Sequence, residues 1–260
     1  MQILLTNSWE SRAKMNKYAI ITGVSSGIGE CIATNFINEG VCVFGIDINE
    51  PNNEKIEYFK CNIADEKAVS NIFHNINQKI DHIDYLINSA GIFCRNKRGL
   101  IQDLSVEEWK SVIDINLTGT FLITKYCIPL LKKSFNGGNI INLSSEQVVL
   151  PQIKSAPYAI TKAGIEMFSK ILALELMETK IRVNTIALAA VRTNFIRKYK
   201  NDDNIFRKIM EDTNKSMPFG IIEPEDVYKM VKFLVNEGNK ITGQTILIDS
   251  GVVLNVNKKK

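Results

Sequence analysis

Tyr18-Ala19-Ile20-Ile21-Thr22-Gly23-Val24-Ser25-Ser26-Gly27-Ile28-Gly29 is the stretch on which the fold turns. Its first five residues are a short apolar run, and apolar residues recur at helical spacing from Ile28 to Asn38. A strand, a Gly/Ser turn and a helix in that order make a β-α unit, and the unit repeats along the chain. Val41 to Ile46 reads as a second strand closed by Asp47, and Ile56 to Lys60 as a third. Too few residues separate these two for a full crossover helix, so a truncated turn is expected there. Asp65 is placed to cap a helix running to Ile80, and Asp84 to Asn88 is the fourth strand.

After a loop from Gly91 to Leu104, the capping-box sequence Ser105-Val106-Glu107-Glu108 starts a long helix to about Phe135, with a kink expected at Pro129. Strand five is Asn139 to Leu143, and the next helix runs through Tyr158 and Lys162 to about Met177. Strand six is Arg182 to Ala187, a polar segment spans Arg192 to Ser216, Pro224 to Asn236 is helical, and Gln244 to Ile248 is the last strand. The alternation implies an α/β fold: a Rossmann-like, doubly wound parallel sheet of about seven strands with helices on both faces. With 260 residues and no Pro/Gly/Ser linker, one domain suffices.

Composition narrows the function. The chain is 45% hydrophobic and 23% charged, and its net charge of +4 includes the Lys258-Lys259-Lys260 tail. No basic stripe interleaved with aromatics marks a nucleic-acid surface, and no apolar run reaches the roughly 18 residues of a membrane helix. Only two histidines, His74 and His82, are present, which argues against a histidine triad or a zinc site. The five cysteines (Cys31, Cys42, Cys61, Cys94, Cys127) form no Cys-x-x-Cys pair and fall mostly in core segments. Buried reduced thiols and a cytoplasmic location are therefore expected. Met1 to Asn16 reads as an extension without the features of a signal peptide.

Two stretches carry chemistry. In Thr22–Gly29 the glycines let backbone approach a pyrophosphate at a helix N-terminus. Asp47, at the end of strand two, can accept from both ribose hydroxyls and repel a 2′-phosphate, which points to NAD rather than NADP. The second stretch runs from Leu143 to Gly164. Tyr158 and Lys162 lie four apart, on one helix face, and an ammonium beside a phenol favours phenolate. Tyr228 and Lys232 repeat the spacing, so what precedes each pair decides between them.

The chain resembles the short-chain dehydrogenase/reductase family, in its single-domain branch, from Lys17 to about Leu254. Thr22–Gly29 is similar to the family's T-G-x-x-x-G-x-G turn, and Asn88-Ser89-Ala90-Gly91 to its N-N-A-G at three of four positions. Asn116 matches the asparagine of the long helix. Ser145 stands thirteen residues before Tyr158, the family spacing, whereas Tyr228 has Lys215 at that distance and no strand before it. Ile241–Asp249 resembles the last strand. The resemblance implies one NAD(P)-binding domain over 17–257, with an extension at 1–16 and a basic tail at 258–260. It implies that Tyr158 is the general acid/base, that Lys162 lowers the Tyr158 pKa and holds the nicotinamide ribose, that Ser145 hydrogen-bonds the reacting oxygen, and that Asn116 positions a water. The implied dinucleotide site comprises Gly23, Ser25, Ser26, Gly27, Ile28 and Gly29, then Asp47, Asn62 and Ile63. Asn88, Ala90, Gly91, Tyr158, Lys162, Val191 and Thr193 complete it.

Three positions depart from the family pattern. Leu188-Ala189 replaces the usual Pro-Gly after strand six; if residue 189 is left-handed, alanine there costs roughly 1 kcal/mol and the loop is reshaped. Ser89 replaces an Asn, and Asn62 stands where an Asp often meets adenine, with its amide oxygen still an acceptor. The expected activity is NAD-dependent interconversion of a secondary alcohol and a ketone. Arg95, Lys97 and Arg98 read first as solvated surface charge and otherwise hint at an anionic substrate, carboxylate or phosphate. The Gly91 loop and the short second crossover resemble dihydroxybenzoate-forming dehydrogenases, which would make it an anionic cyclic or acyl substrate. The alternatives are a 3-oxoacyl-carrier-protein reductase using NADPH and a low-turnover NAD-sensing protein. A homotetramer, or a homodimer, is the implied assembly.

Overall fold

The computed structural model describes residues 17–94, 99–193 and 211–255. Seven strands form one parallel sheet in the order β3-β2-β1-β4-β5-β6-β7. They are β1 (Tyr18–Thr22), β2 (Cys42–Asp47), β3 (Glu57–Lys60), β4 (Tyr85–Asn88), β5 (Asn139–Ser145), β6 (Arg182–Leu188) and β7 (Thr245–Ile248). Between them lie α1 (Gly27–Asn38), α2 (Glu66–Asn77), α3 (Val106–Ile113), α4 (Gly119–Leu131), α5 (Ala156–Glu175) and α6 (Pro224–Asn236), and a short α7 (Val252–Asn255) ends the described chain. β1 pairs with β2 on one side and β4 on the other. The strand order reverses there, which opens a crevice at the carboxyl ends of the strands.

Strand side chains alternate between two apolar layers. Ala19, Ile21, Ile87 and Ile141 pack with Ile32 and Phe36 of α1 and Val227, Val231 and Leu234 of α6. Ile20, Leu86 and Ile140 face the other way, onto Phe73 and Ile76 of α2, Ile123, Cys127 and Leu130 of α4, and Leu172 of α5. β4 and β5 are buried along their whole length, as expected of central strands covered on both faces.

Local signals explain several boundaries. Asp65 caps α2 by accepting the Ala68 N–H at 3.0 Å, and Ser105 caps α3 by accepting the Glu108 N–H at 3.1 Å. No helix lies between β2 and β3. The long helix expected from Ser105 to Phe135 runs without a gap from Val106 to Leu131, with a π segment over Asp114–Thr118, and Pro129 lies inside α4. All five cysteines are free; Cys61, Cys94 and Cys127 are buried, while Cys42 at the start of β2 is exposed. No helix among the described residues is long and apolar enough to cross a membrane.

Candidate active site

The glycine turn is pressed between the ends of β1, β2 and β4. Gly23 donates its N–H to the Ile46 carbonyl at 2.9 Å. Thr22 Oγ1 accepts the N–H groups of Ser89 at 3.1 Å and Ala90 at 3.0 Å, tying the two strand ends together. A Cβ on Gly23 would lie 3.0 Å from Ala90 backbone, and one on Gly29 would lie 2.2 Å from the Gly23 carbonyl oxygen. Gly23 and Gly27 have φ of +77° and +64°, where a side chain is strained. Ser26 precedes α1 without a side-chain capping bond, so the first-turn N–H groups keep their preference for an anion. A cradle that tolerates no Cβ, at an uncapped helix start, fits a dinucleotide pyrophosphate. Ile28 follows Gly27 in that first turn, and Thr193 lies across Gly27, its Cγ2 3.1 Å from where a Cβ would stand.

Asp47 ends β2 beside this turn. Its Oδ2 accepts the Ser25 N–H at 3.0 Å and the Ser25 hydroxyl at 2.8 Å, and its Oδ1 accepts the Asn49 N–H at 3.0 Å. Tyr58 donates its hydroxyl to the Asp47 carbonyl at 3.2 Å. Burial, with the Asp47 and Glu50 carboxylates, holds the Tyr58 phenol above its usual range. Two acidic groups thus gather at this end of the crevice.

The neighbouring positions divide their labour. Asn62, expected to offer its amide oxygen, already accepts the Ala64 N–H at 3.2 Å, leaving one lone pair. Ile63 is buried and fills the space beside Gly119, where a Cβ would lie 2.6 Å away. Asn88 turns its amide nitrogen into the core, donating to Thr124 Oγ1 at 3.1 Å and Asn142 Oδ1 at 2.8 Å. Its side chain is therefore a sheet-to-helix tie.

Asn116, in the π turn, is fully buried and grips both sides of the site. Its Oδ1 accepts the Ile92 N–H at 2.8 Å, and its Nδ2 donates to the Ile92 carbonyl at 2.8 Å and to Thr161 Oγ1 at 3.2 Å. A Cβ on Gly91 would meet Asn116 Oδ1 at 3.2 Å and Lys162 Nζ at 3.8 Å, so a side chain there would press on the Asn116 amide. Lys162 Nζ donates to the Leu143 carbonyl at 2.8 Å and lies 5.5 Å from the Tyr158 ring centroid. Burial pushes the Lys162 ammonium down to about 8, so it can exchange a proton near neutral pH. Phe93 packs its ring on Tyr158 at 4.8 Å. Ser145 closes β5, donates to Glu146 Oε2 at 2.7 Å and accepts the Gln147 N–H at 3.3 Å.

The second Tyr-x-x-x-Lys has a different use. Tyr228 and Lys232 both bind the Glu39 carboxylate from across the α1–α6 contact. Burial and Glu39 hold the Tyr228 phenol far above its usual range, the opposite of what a general base needs. Ala189 also departs from expectation: its backbone is not left-handed, and its N–H joins the sheet by donating to the Ile248 carbonyl at 3.0 Å. Alanine there carries no conformational cost. Val191 forms a parallel bridge with Ile222. Arg95, Lys97 and Arg98 lie outside the described residues. Thr22, Thr161 and Phe93 were not singled out in the sequence; only the threonine preceding Gly23 carried a signal, as the first letter of the turn motif.

A family model described as enoyl-(acyl carrier protein) reductase matches residues 23–253. The chain is 32% identical to the 3-oxoacyl-(acyl-carrier-protein) reductase of Thermotoga maritima, over 92% of this chain and 98% of that protein. It is 30% identical to the 2,3-dihydro-2,3-dihydroxybenzoate dehydrogenase of Bacillus subtilis, over 92% and 97% respectively. The aldohexose dehydrogenase of Thermoplasma acidophilum superposes with a TM-score of 0.85 at 29% identity, covering 92% of this chain and 94% of that one.

Proposed function

We propose that this chain, which belongs to the short-chain dehydrogenase/reductase family of nicotinamide-dependent alcohol/ketone oxidoreductases, uses NAD(H) to interconvert a secondary alcohol and a ketone. The observation that carries this reading is the Tyr158–Lys162 pair with its buried ammonium, set between Asn116 and the end of β5. The dinucleotide, when bound, supplies the hydride donor or acceptor. Gly23, Ser25, Ser26, Gly27, Ile28 and Gly29 hold its pyrophosphate, and Gly91 leaves room beside Lys162. Val191 and Thr193 close the other side.

In this reading Tyr158 gives its phenolic proton to the carbonyl oxygen in reduction and takes it back in oxidation. Lys162 provides the positive charge that the phenolate meets, and its readiness to lose a proton suits it to pass one onward. Ser145 hydrogen-bonds the reacting oxygen. Asn116 acts by position: it fixes the loop after β4 to α5, and so fixes where Lys162 stands. Substrate choice belongs to residues 91–104, 146–156 and 192–216, where Phe93 narrows the approach to Tyr158. Assays begin with a dihydrodiol carboxylate, a 3-oxoacyl thioester and an aldose, the classes named for the relatives. A cyclic or acyl anion is the first expectation.

Asp47 and Glu50 support NAD over NADP. Like charges brought together at a binding site cost several kcal/mol, so NADH should bind at least about ten-fold tighter than NADPH in a fluorescence titration. Asp47→Asn keeps an oxygen for Ser25 and should narrow that gap. A wild-type preference for NADPH would instead favour the 3-oxoacyl-carrier-protein reductase reading, whose support is the 32% identity to the Thermotoga enzyme.

A homotetramer accompanies this reading. Ile160, Met167, Ile171 and Leu174 make an exposed apolar stripe on one face of α5, and Phe121 stands exposed on α4. Light scattering should give a mass of four chains; a single chain in solution would overturn the assembly. A cytoplasmic location goes with the free thiols.

A further inference from the structure

A serine hydroxyl has one proton to give. In this structure Ser145 gives it to Glu146, at 2.7 Å from Oε2, while the Gln147 N–H occupies one of its lone pairs. Both side chains are buried. A Ser145 that hydrogen-bonds a carbonyl oxygen needs that same proton. The two demands compete, and the protonation state of Glu146 weights the outcome.

We propose that Glu146 is a positioning residue for the reaction, whose carboxyl decides whether the Ser145 hydroxyl is free to donate to the reacting oxygen; this rests on the oxidoreductase reading above. When neutral, Glu146 donates its own proton to Ser145 Oγ, and Ser145 donates onward to the substrate. When ionised, Glu146 captures the Ser145 proton, and the substrate oxygen is left with Tyr158 alone. Between the two forms only the Glu146 O–H bond is broken, its proton passing to solvent; Ser145 keeps its own proton and changes only the partner it donates to.

The surroundings make the neutral form accessible. Burial raises the Glu146 carboxyl above the ordinary glutamate range, and Asp249 adds a like charge, while the Ser145 hydroxyl and nearby backbone N–H groups pull the other way. α5, which carries Tyr158, Lys162 and Glu166, packs on this turn, and Asp249 after β7 acts on Glu146. Lys162 is committed to the Leu143 carbonyl and Glu166 to the Ser144 hydroxyl. Asp249 accepts the N–H groups of Gly251 and Val253.

The sign follows. Below the raised Glu146 range Ser145 donates to substrate; as pH rises through that range, the donor is withdrawn. Wild-type kcat/KM for reduction of a turned-over ketone should therefore fall by about ten-fold across a low-pH step, the worth of one lost hydrogen bond. In Glu146→Gln the step should vanish and the plateau persist until Tyr158 loses its proton. Glu146→Ala, which also frees the Ser145 proton, should behave the same way. Both reaction directions pass through one transition state, so each variant must change both kcat/KM values by the same factor. In a Ser145→Ala background neither the step nor the Glu146→Gln effect should remain.

A readout without turnover is the ¹³C-NMR titration of the labelled glutamate carboxyl. Ser145→Ala should move the Glu146 midpoint further up, because a donor to the carboxylate has been removed. Persistence of the pH step in both Glu146 variants, or a Glu146 midpoint indifferent to Ser145→Ala, overturns the proposal while leaving the oxidoreductase reading intact. The converse result, NMR coupling with no Tyr158-dependent turnover of any carbonyl, overturns that reading instead.

Discussion

Tyr158→Phe is expected to lower single-turnover NADH oxidation by about 10²- to 10⁴-fold, the usual worth of a general acid, with NADH affinity and thermal midpoint close to wild type. The substitution removes one oxygen. The ring that packs on Phe93 at 4.8 Å remains, and Lys162 keeps its bond to the Leu143 carbonyl, so the packing around the site and the anchor of the ammonium are retained. Tyr228→Phe is the internal control. It removes a hydroxyl bound to Glu39 between α1 and α6, which should cost about 1 kcal/mol of stability and leave turnover untouched. Tyr158→Phe activity within a few-fold of wild type on every reactive carbonyl would sink the proton-transfer role. Tight NADH binding with no oxidation across a broad panel would favour a cofactor sensor.

The fold was largely legible in the sequence because its central strands are short apolar runs buried on both faces. Most strands are followed by a helix, and two of these helices, α2 and α3, carry a side-chain cap at their start. Tyr18–Thr22 and Pro224–Asn236 occur with the expected limits. Strand five was bounded at Leu143, with Ser145 as a hydroxyl at its end; the ladder with β6 extends through Ser144 and Ser145, since backbone pairing is indifferent to polar side chains. The π turn was not legible. Asp114, Asn116 and Thr118 are weak helix formers, but nothing in the stretch specifies a π segment; the extra residue is accommodated where Asn116 bonds to the Ile92 backbone, a partner set by the tertiary fold. Ala189 reverses the lesson. A left-handed backbone was tied to the motif's missing glycine, but here the strand simply runs on into its pairing with β7. Motif spacing singled out Tyr158 over Tyr228, whereas the pairing of Ser145 with Glu146 needed side-chain geometry. Asp47 was read as an acceptor for a ligand; its carboxylate organises Ser25 and Asn49, a use that spacing does not express.

Gly29→Ala should weaken NADH binding by up to about 100-fold, the affinity equivalent of the 1–3 kcal/mol that overpacking a tight site costs. Its Cβ would stand 2.2 Å from the Gly23 carbonyl oxygen and 2.7 Å from the Gly23 carbonyl carbon. Those are backbone atoms, so no side chain can rotate aside. Relief requires the turn and the start of α1 to separate, and Gly23 is itself held against Ile46 and the Ala90 backbone. The displaced groups are the N–H donors of the cradle, which ties the loss to cofactor affinity as well as to stability. Gly40→Ala distinguishes the two. Gly40 lies just beyond the other end of α1 with φ of +82° and nothing within 4 Å of a built Cβ. Alanine there should cost about 1 kcal/mol through its left-handed backbone and lower the thermal midpoint without changing NADH affinity. If Gly29→Ala lowered only the midpoint, as Gly40→Ala does, the turn would be a packing device and the pyrophosphate would have to sit elsewhere. A loss of affinity far exceeding that of an equally destabilised Gly40→Ala protein assigns the cradle to the cofactor.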